Sequence, residues 1–296
     1  MNPRTITLPD GRVLAWTEFG PADGRPVLYC HGFPSTGAEA AFAEQAAYAT
    51  GARVLAPDRP GYGRSDHAPG RTLTGWADDA LALLDHQRID TAPVIGFSGG
   101  GPYALACAWR RPERFPRVAT FGAMEWLARP GSEADMAALS QVSIRLARRF
   151  PPGQAAIFRL LAILIRVAPQ TLFSLLSAGH CPADRAVFHE AHVRSRWTRA
   201  LHDSVMQGAV GAITELRLYV ADRPFALDDV HVPVELWHGL DDTVVPSRHG
   251  EHLAAALPRC DARFLADEGH FSTPVNAIAE ALERVVADPR APRTRD

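Results

Sequence analysis

The sequence predicts an α/β protein: a mostly parallel sheet with helices on both faces, interrupted once by a helical insertion. Three observations carry this. Short apolar runs such as Val27–Cys30, Pro93–Phe97 and Arg117–Phe121 alternate with helix-length segments, as in parallel sheets covered on both sides. From about Glu125 to about Met206 no run reads as a strand. The chain has 296 residues, 47% hydrophobic and 22% charged, enough to bury a core without disulfide or metal support.

Taken in order, Ile6–Leu8 and Val13–Thr17 flank Asp10-Gly11 and read as a hairpin. Val27–Cys30 is a buried strand ending at His31-Gly32-Phe33-Pro34. Ala38–Ala49 is helical and Gly51 stops it. Arg53–Ala56 is a strand running into the turn-rich loop Asp58–Asp66. Leu73–His86 has helical periodicity, with Thr72 or Thr74 as caps. Pro93–Phe97 is a strand followed at once by a helix from about Gly100 to Arg110, and Arg117–Phe121 is the sixth strand.

The insertion contains helical stretches at Ala134–Arg149, Gln154–Val167, Gln170–Leu176 and Arg185–His202. Strands at Val232–Trp237 and Ala262–Leu265 and helices at Ser247–Ala256 and Pro274–Val286 complete eight strands. The expected division is a core in two parts (1–124 and 207–290), a helical cap (125–206) and a frayed Pro/Arg-rich tail (291–296).

Composition excludes several chemistries. Thirty-one basic residues face 33 acidic ones, a net charge of −2, so no nucleic-acid footprint is evident. The sequence contains no lysine. A P-loop lysine, a Schiff-base lysine and a kinase-type ATP lysine are therefore absent. Cys30, Cys107, Cys181 and Cys260 are widely spaced and form no CxxC pair, which suggests neither zinc nor redox chemistry. The start, MNPRTITLPDG, lacks the apolar run of a signal peptide, so a cytoplasmic location with reduced thiols is expected. The most apolar stretch, Ala155–Leu176, is broken by Arg159, Arg166 and Pro169, so no membrane span is expected.

Gly96-Phe97-Ser98-Gly99-Gly100 is a G-x-S-x-G between an expected strand and an expected helix. A serine there sits on a sharp, strained turn, and the helix N-terminus faces the reacting oxygen. Without that context the motif would read as a plain glycine-rich turn. No lysine follows, so the glycines are not a phosphate cradle.

With this motif the chain resembles the α/β-hydrolase family. His31-Gly32-Phe33-Pro34 follows the third strand, where that family carries its HGxP loop. The resemblance implies an oxyanion hole made by the N–H groups of Phe33 and Gly99, with His31 bracing the loop. Gly239-Leu240-Asp241-Asp242-Thr243-Val244-Val245-Pro246 resembles the family's acid motif, with Asp242 at the acid position. Gly269-His270 matches its histidine signature, and Ser98, Asp242 and His270 follow its chain order. Ser98 would be the nucleophile, His270 the base and Asp242 the orienting acid. A serine nucleophile argues against epoxide hydrolase and haloalkane dehalogenase chemistry.

The function this implies is a serine hydrolase of a small-to-medium, largely apolar ester, lactone or thioester, working through an acyl-enzyme. Its partner is a small-molecule substrate. No metal or organic cofactor is implied, and the oligomeric state is open. C–C bond hydrolysis or acyl transfer by the same triad is the alternative, and a non-catalytic ligand receptor on the same scaffold is the second.

Asp241 is the competing acid if the loop register slips, and Glu125 stands at a second acid position used in some members. Glu268 reads as a loop charge. Phe97, Trp126 and Phe271 are candidates to line the substrate pocket. The stripe Phe158, Leu161, Leu164, Ile165 and Leu172 packs on the core or roofs the pocket. His189, Glu190 and His192 lack metal-motif spacing, and His180-Cys181 reads as isolated.

Overall fold

A computed structural model describes residues 3–129 and 131–287. Its centre is one eight-stranded sheet: β1 (Arg4–Thr7), β2 (Val13–Phe19), β3 (Arg25–Cys30), β4 (Ala52–Pro57), β5 (Val94–Phe97), β6 (Val118–Phe121), β7 (Val234–Gly239) and β8 (Cys260–Leu265). The spatial order is β1-β2-β4-β3-β5-β6-β7-β8. β1 and β2 pair antiparallel, as does β2 with β4. Every other pair is parallel.

The central strands are buried on both faces. Leu28 and Cys30 enter one hydrophobic cluster, and Val27 and Tyr29 enter the other. This is the two-residue alternation of a strand between two helical layers. The helices are α1 (Glu44–Thr50), α2 (Trp76–His86), α3 (Gly101–Arg110), α4 (Ala138–Arg149), α5 (Pro151–Val167), α6 (Pro169–Ser177), α7 (Pro182–His189), α8 (Ala191–Asp203), α9 (Val210–Val220), α10 (Arg248–Ala256) and α11 (Ser272–Val286). The inserted helices α4 to α8 lie between β6 and α9 in the chain.

Several boundaries differ from the sequence reading. The helix expected over 38–49 is a 3-10 turn, Gly37–Ala43, followed by α1, which Gly51 ends at φ +69°. α2 starts three residues late because the Thr72 hydroxyl accepts the Gly75 N–H (2.9 Å) and holds a separate turn. The stretch 185–202 is two helices, broken at Glu190, whose backbone is extended (ψ 110°). The two halves serve different partners: α7 meets the loop after β8, while α8 stacks Trp197 on Phe42. α9 has no clear signal in the sequence. Its buried face carries the charged Glu215, while Val210, Ile213 and Leu218 are apolar but lie off that face, so it lacks the one-sided apolar stripe that marks a helix in sequence. The tail expected to fray, 291–296, lies outside the described residues.

β3, β5, β6, β7 and β8 are successive parallel neighbours. Their carboxyl-end loops therefore emerge along one edge of the sheet, where open α/β sheets bind ligands. These loops hold His31–Pro34, Ser98, Gly122–Met124, Asp242 and His270.

Candidate active site

Ser98 follows β5 at the start of a single 3-10 turn that leads into α3. Its φ is +54°, a conformation a non-glycine residue adopts only when its surroundings enforce it. The Ser98 carbonyl accepts the Met124 N–H at 3.2 Å. Because a peptide unit is planar and trans, fixing that carbonyl turns the Gly99 N–H the opposite way. A Cβ on Gly99 would lie 2.6 Å from the Phe33 Cβ and 2.7 Å from the Tyr219 hydroxyl, so the loop after β3 and helix α9 close directly on this turn.

The Gly32–Phe33 peptide is held in the same manner. Its carbonyl accepts from Arg59 Nη2 (2.9 Å) and from His31 Nδ1 (2.8 Å). His31 Nε2 accepts the Arg59 N–H (3.0 Å), so the ring proton is on Nδ1. Burial, then the charge of Arg59, keeps this imidazole neutral by lowering its pKa well below the usual range. Arg59 is itself fully buried and forms a forked pair with Glu215 of α9 (2.6 and 3.0 Å). The Gly32 N–H donates to the buried Glu39 carboxylate (2.5 Å), which also accepts from the Tyr29 hydroxyl (3.0 Å).

Asp242 and His270 meet across the ends of β7 and β8. His270 Nδ1 donates to Asp242 Oδ2 at 2.7 Å. The other carboxylate oxygen accepts the N–H groups of Val244 and Val245, both at 2.8 Å. Burial would raise the Asp242 carboxyl, but the charge of His270 and hydrogen bonds from His238 and His270 hold it well below the usual range. Burial would lower the His270 imidazole, and the adjacent Asp242 carboxylate overcomes this and raises it. Gly122 faces the pair at φ +49°, and a Cβ there would come within 3.0 Å of His270 Nδ1.

The His270 loop has a third support. Asp184 of α7, fully buried, accepts the N–H groups of His270 (3.0 Å), Phe271 (2.8 Å) and Ser272 (2.8 Å). These are donors a helix start leaves unpaired, here satisfied by a carboxylate 86 residues away in sequence.

Two adjoining cavities open at Ser98. One, about 200 Å³, runs under α4 and α5 and is lined by Met124, Met136, Ile144, Phe158, Leu161 and Ile165 among other apolar side chains. The other, about 460 Å³, contains His270 together with Glu39, Phe97, His180, Trp197 and Phe271. Phe33, Pro34 and Ser98 line both. A wider opening of about 810 Å³ between α6 and α8 contains neither Ser98 nor His270.

The profile of a family described as alpha/beta hydrolase fold matches residues 25–277. The chain belongs to the α/β-hydrolase family. A Bacillus subtilis protein described as an uncharacterized hydrolase is 32% identical over 273 residues, covering 90% of this chain and 91% of its own. A pimeloyl-[acyl-carrier protein] methyl ester esterase of Aromatoleum aromaticum is 31% identical, covering 80% and 88%. The crystal structure of a bromoperoxidase from Bacillus anthracis superposes with a TM-score of 0.73 at 19% identity, over 97% of this chain and all of that one, and shows the shared fold. The protein is thus a hydrolase with the eight-stranded α/β-hydrolase fold.

Within this hydrolase, Asp241 is exposed and its N–H donates to the Glu268 carbonyl (2.9 Å), whereas Asp242 faces His270. Glu125 lies against His252 (3.2 Å) and His249, and its contacts are with those rings and Arg129. Glu268 accepts from Asn276 (2.8 Å). Phe97 and Phe271 line the cavity at His270. Trp126 does not line either Ser98 cavity: it packs edge-on against Phe225, which stacks on Trp109, so its bulk fills the core beside β6.

Of the apolar stripe, Phe158, Leu161, Ile165 and Leu172 roof the smaller cavity, while Leu164 points outward and is 44% exposed. His180 and Cys181 are not isolated. His180 packs on Phe271, and the Cys181 sulfur lies so close to Gly269 that a Cβ there would collide with it. Among the described residues, no group of three or more His, Cys, Asp or Glu side chains is placed to hold a metal. Asp184, Arg59 and Glu215 carry no local signal, because their partners come from distant parts of the chain.

Proposed function

We propose that this protein is a serine hydrolase of a small-to-medium, largely apolar ester, lactone or thioester, with Ser98, His270 and Asp242 as its triad. The observation that carries the reading is the 2.7 Å Asp242–His270 contact beside a cavity shared with a serine in left-handed backbone. With its Nδ1 proton engaged by Asp242, His270 has Nε2 free to take a proton. Ser98 Oγ attacks the carbonyl carbon and passes its proton to Nε2. The oxyanion is stabilised by the N–H groups of Phe33 and Gly99, whose peptide carbonyls are tied down on the opposite side by Arg59, His31 and Met124. Imidazolium then protonates the leaving group, and water repeats the sequence on the acyl-enzyme.

The leaving group must lie on the side from which His270 delivers its proton. That assigns it to the larger cavity and the acyl chain to the apolar cavity under α4 and α5. The named esterase among the relatives supports an ester substrate. The test is intact-mass labelling with a fluorophosphonate, with p-nitrophenyl esters of graded chain length. One adduct is expected on the wild type and none on Ser98→Ala, which should melt at the same temperature. A folded wild type that takes no adduct would sink the reading.

A further inference from the structure

Helix α5 is apolar on both sides, yet only one side is covered. Phe158, Ala162 and Ile165 face inward. Leu160, Ile163, Leu164 and Val167, at the i, i+3, i+4, i+7 spacing of a second stripe, are 58%, 58%, 44% and 78% exposed. Leu175 and Leu176 of α6 extend the patch, at 69% and 46%. Leu176 also lines both Ser98 cavities, so the patch reaches their mouth. Three quarters of the exposed large apolar side chains (nine of the twelve among the described residues) fall between Leu139 and Leu176. A concentration of exposed apolar side chains of this kind marks an interaction site.

The charge carried by these helices has one sign. From Met136 to Ala183 there are five arginines and no Asp or Glu. Arg145 and Arg148 are engaged by Glu133. Arg149, Arg159 and Arg166 are exposed and have no ion-pair partner among the described residues. Arg159 and Arg166 are spaced seven apart, so both border the apolar stripe. A second copy of the chain would set these arginines against each other, a like-charge juxtaposition that opposes pairing. A surface that is apolar beneath and negatively charged at its face satisfies both features. Among the described residues no single helix is long and apolar enough to cross a membrane, and α5 and α6 meet at a 116° bend, a shape suited to lying along a surface.

We propose that the outer face of α5 and α6 docks on an anionic lipid surface, setting the mouth of the Ser98 cavities against it. Docking is independent of the reaction assigned above and is read without turnover. The experiment is co-sedimentation of the full chain with phosphatidylglycerol–phosphatidylcholine vesicles and with pure phosphatidylcholine vesicles, at low and high salt. Wild type should bind the anionic vesicles, not the neutral ones, and release in salt. Arg159→Glu/Arg166→Glu should weaken binding at least about tenfold, and Ile163→Ser/Val167→Ser should also weaken it. These exposed positions lie outside the cavity linings, and circular dichroism melting confirms that each variant folds.

Wild type that fails to bind, or binds neutral vesicles equally, would overturn the proposal. Anionic binding untouched by the Ile163/Val167 change would mark a plain polyanion or acidic-protein site and overturn it too. So would a dimer in sedimentation velocity that the Ile163/Val167 change dissolves, since a second copy would then cover this face.

Discussion

Asp242 shows what one buried carboxylate does when its surroundings are built for the charge. Two backbone N–H groups hold one oxygen and His270 engages the other, and its pKa falls despite burial. Asp242, Asp184 and Glu39 all face His270 and favour its protonated form, raising its pKa above the ordinary 6.5. A base must be neutral to accept the serine proton. The acid limb of kcat/KM is therefore expected above pH 6.5, with activity gained as pH rises through it. Asp242→Asn removes the largest favourable charge, so the limb should move to lower pH while turnover drops on the order of 10⁴-fold. An unmoved limb in the pH profile would show that Asp242 does not set the His270 titration.

The neighbouring carboxyl of Glu39 behaves oppositely. Burial raises it to about 7, against hydrogen bonds from Ser35, Gly32 and Tyr29 that lower it. The folded protein then binds a proton that the unfolded chain has lost, over pH 4.5 to 7. Stability from this group is present at low pH and is lost as pH rises through about 7, an effect of up to about 3 kcal/mol. Glu39→Gln keeps the acceptor for Gly32 and removes the titration. Denaturant unfolding at pH 5 and pH 8 should show the variant losing less stability across that interval than the wild type.

At the scale of elements, two helices act on the site from a distance. α9 supplies Glu215 to Arg59, which holds the Gly32–Phe33 peptide, and the Tyr219 hydroxyl to the Gly99 carbonyl (2.8 Å), so one helix acts on both residues whose N–H groups are assigned to the oxyanion. α7 supplies Asp184, which ties the inserted helices to the start of α11 and thus to His270. Asp184→Ala would leave two buried N–H groups and one half-buried one without their acceptor, costing about 1–3 kcal/mol for each buried group. Because the freed loop carries His270, kcat should fall more than KM rises, and the acid limb should shift down with the lost charge. Stopped kinetics at several pH values check this. A variant that is only less stable, with unchanged kcat and pH profile, would reduce Asp184 to a structural cap.

For the molecule as a whole, strand order does what no single element can. Five adjacent parallel strands deliver five loops, separated by up to 239 residues of chain, to one edge of the sheet. The inserted helices then roof that edge, turning an open crevice into two cavities of different character on either side of Ser98.

The strands, the alternation and the serine, aspartate and histidine motifs were legible in the sequence because each is local. Short continuous apolar runs mark strands covered on both faces, and the glycine-flanked turns need small residues beside one reactive side chain. In the sequence only a resemblance separates Asp242 from Asp241, and the tertiary structure shows which carboxylate faces the imidazole. The roles of Asp184, Arg59, Glu215 and Glu39 were not legible at all. Each is a buried charge whose meaning lies in a backbone group or counter-ion brought to it by folding, and the same residue type at the surface would be a solvated charge. The outward stripe of α5 was hidden for a related reason. Periodicity shows that a helix is apolar, but only packing decides which of its two apolar faces is left uncovered.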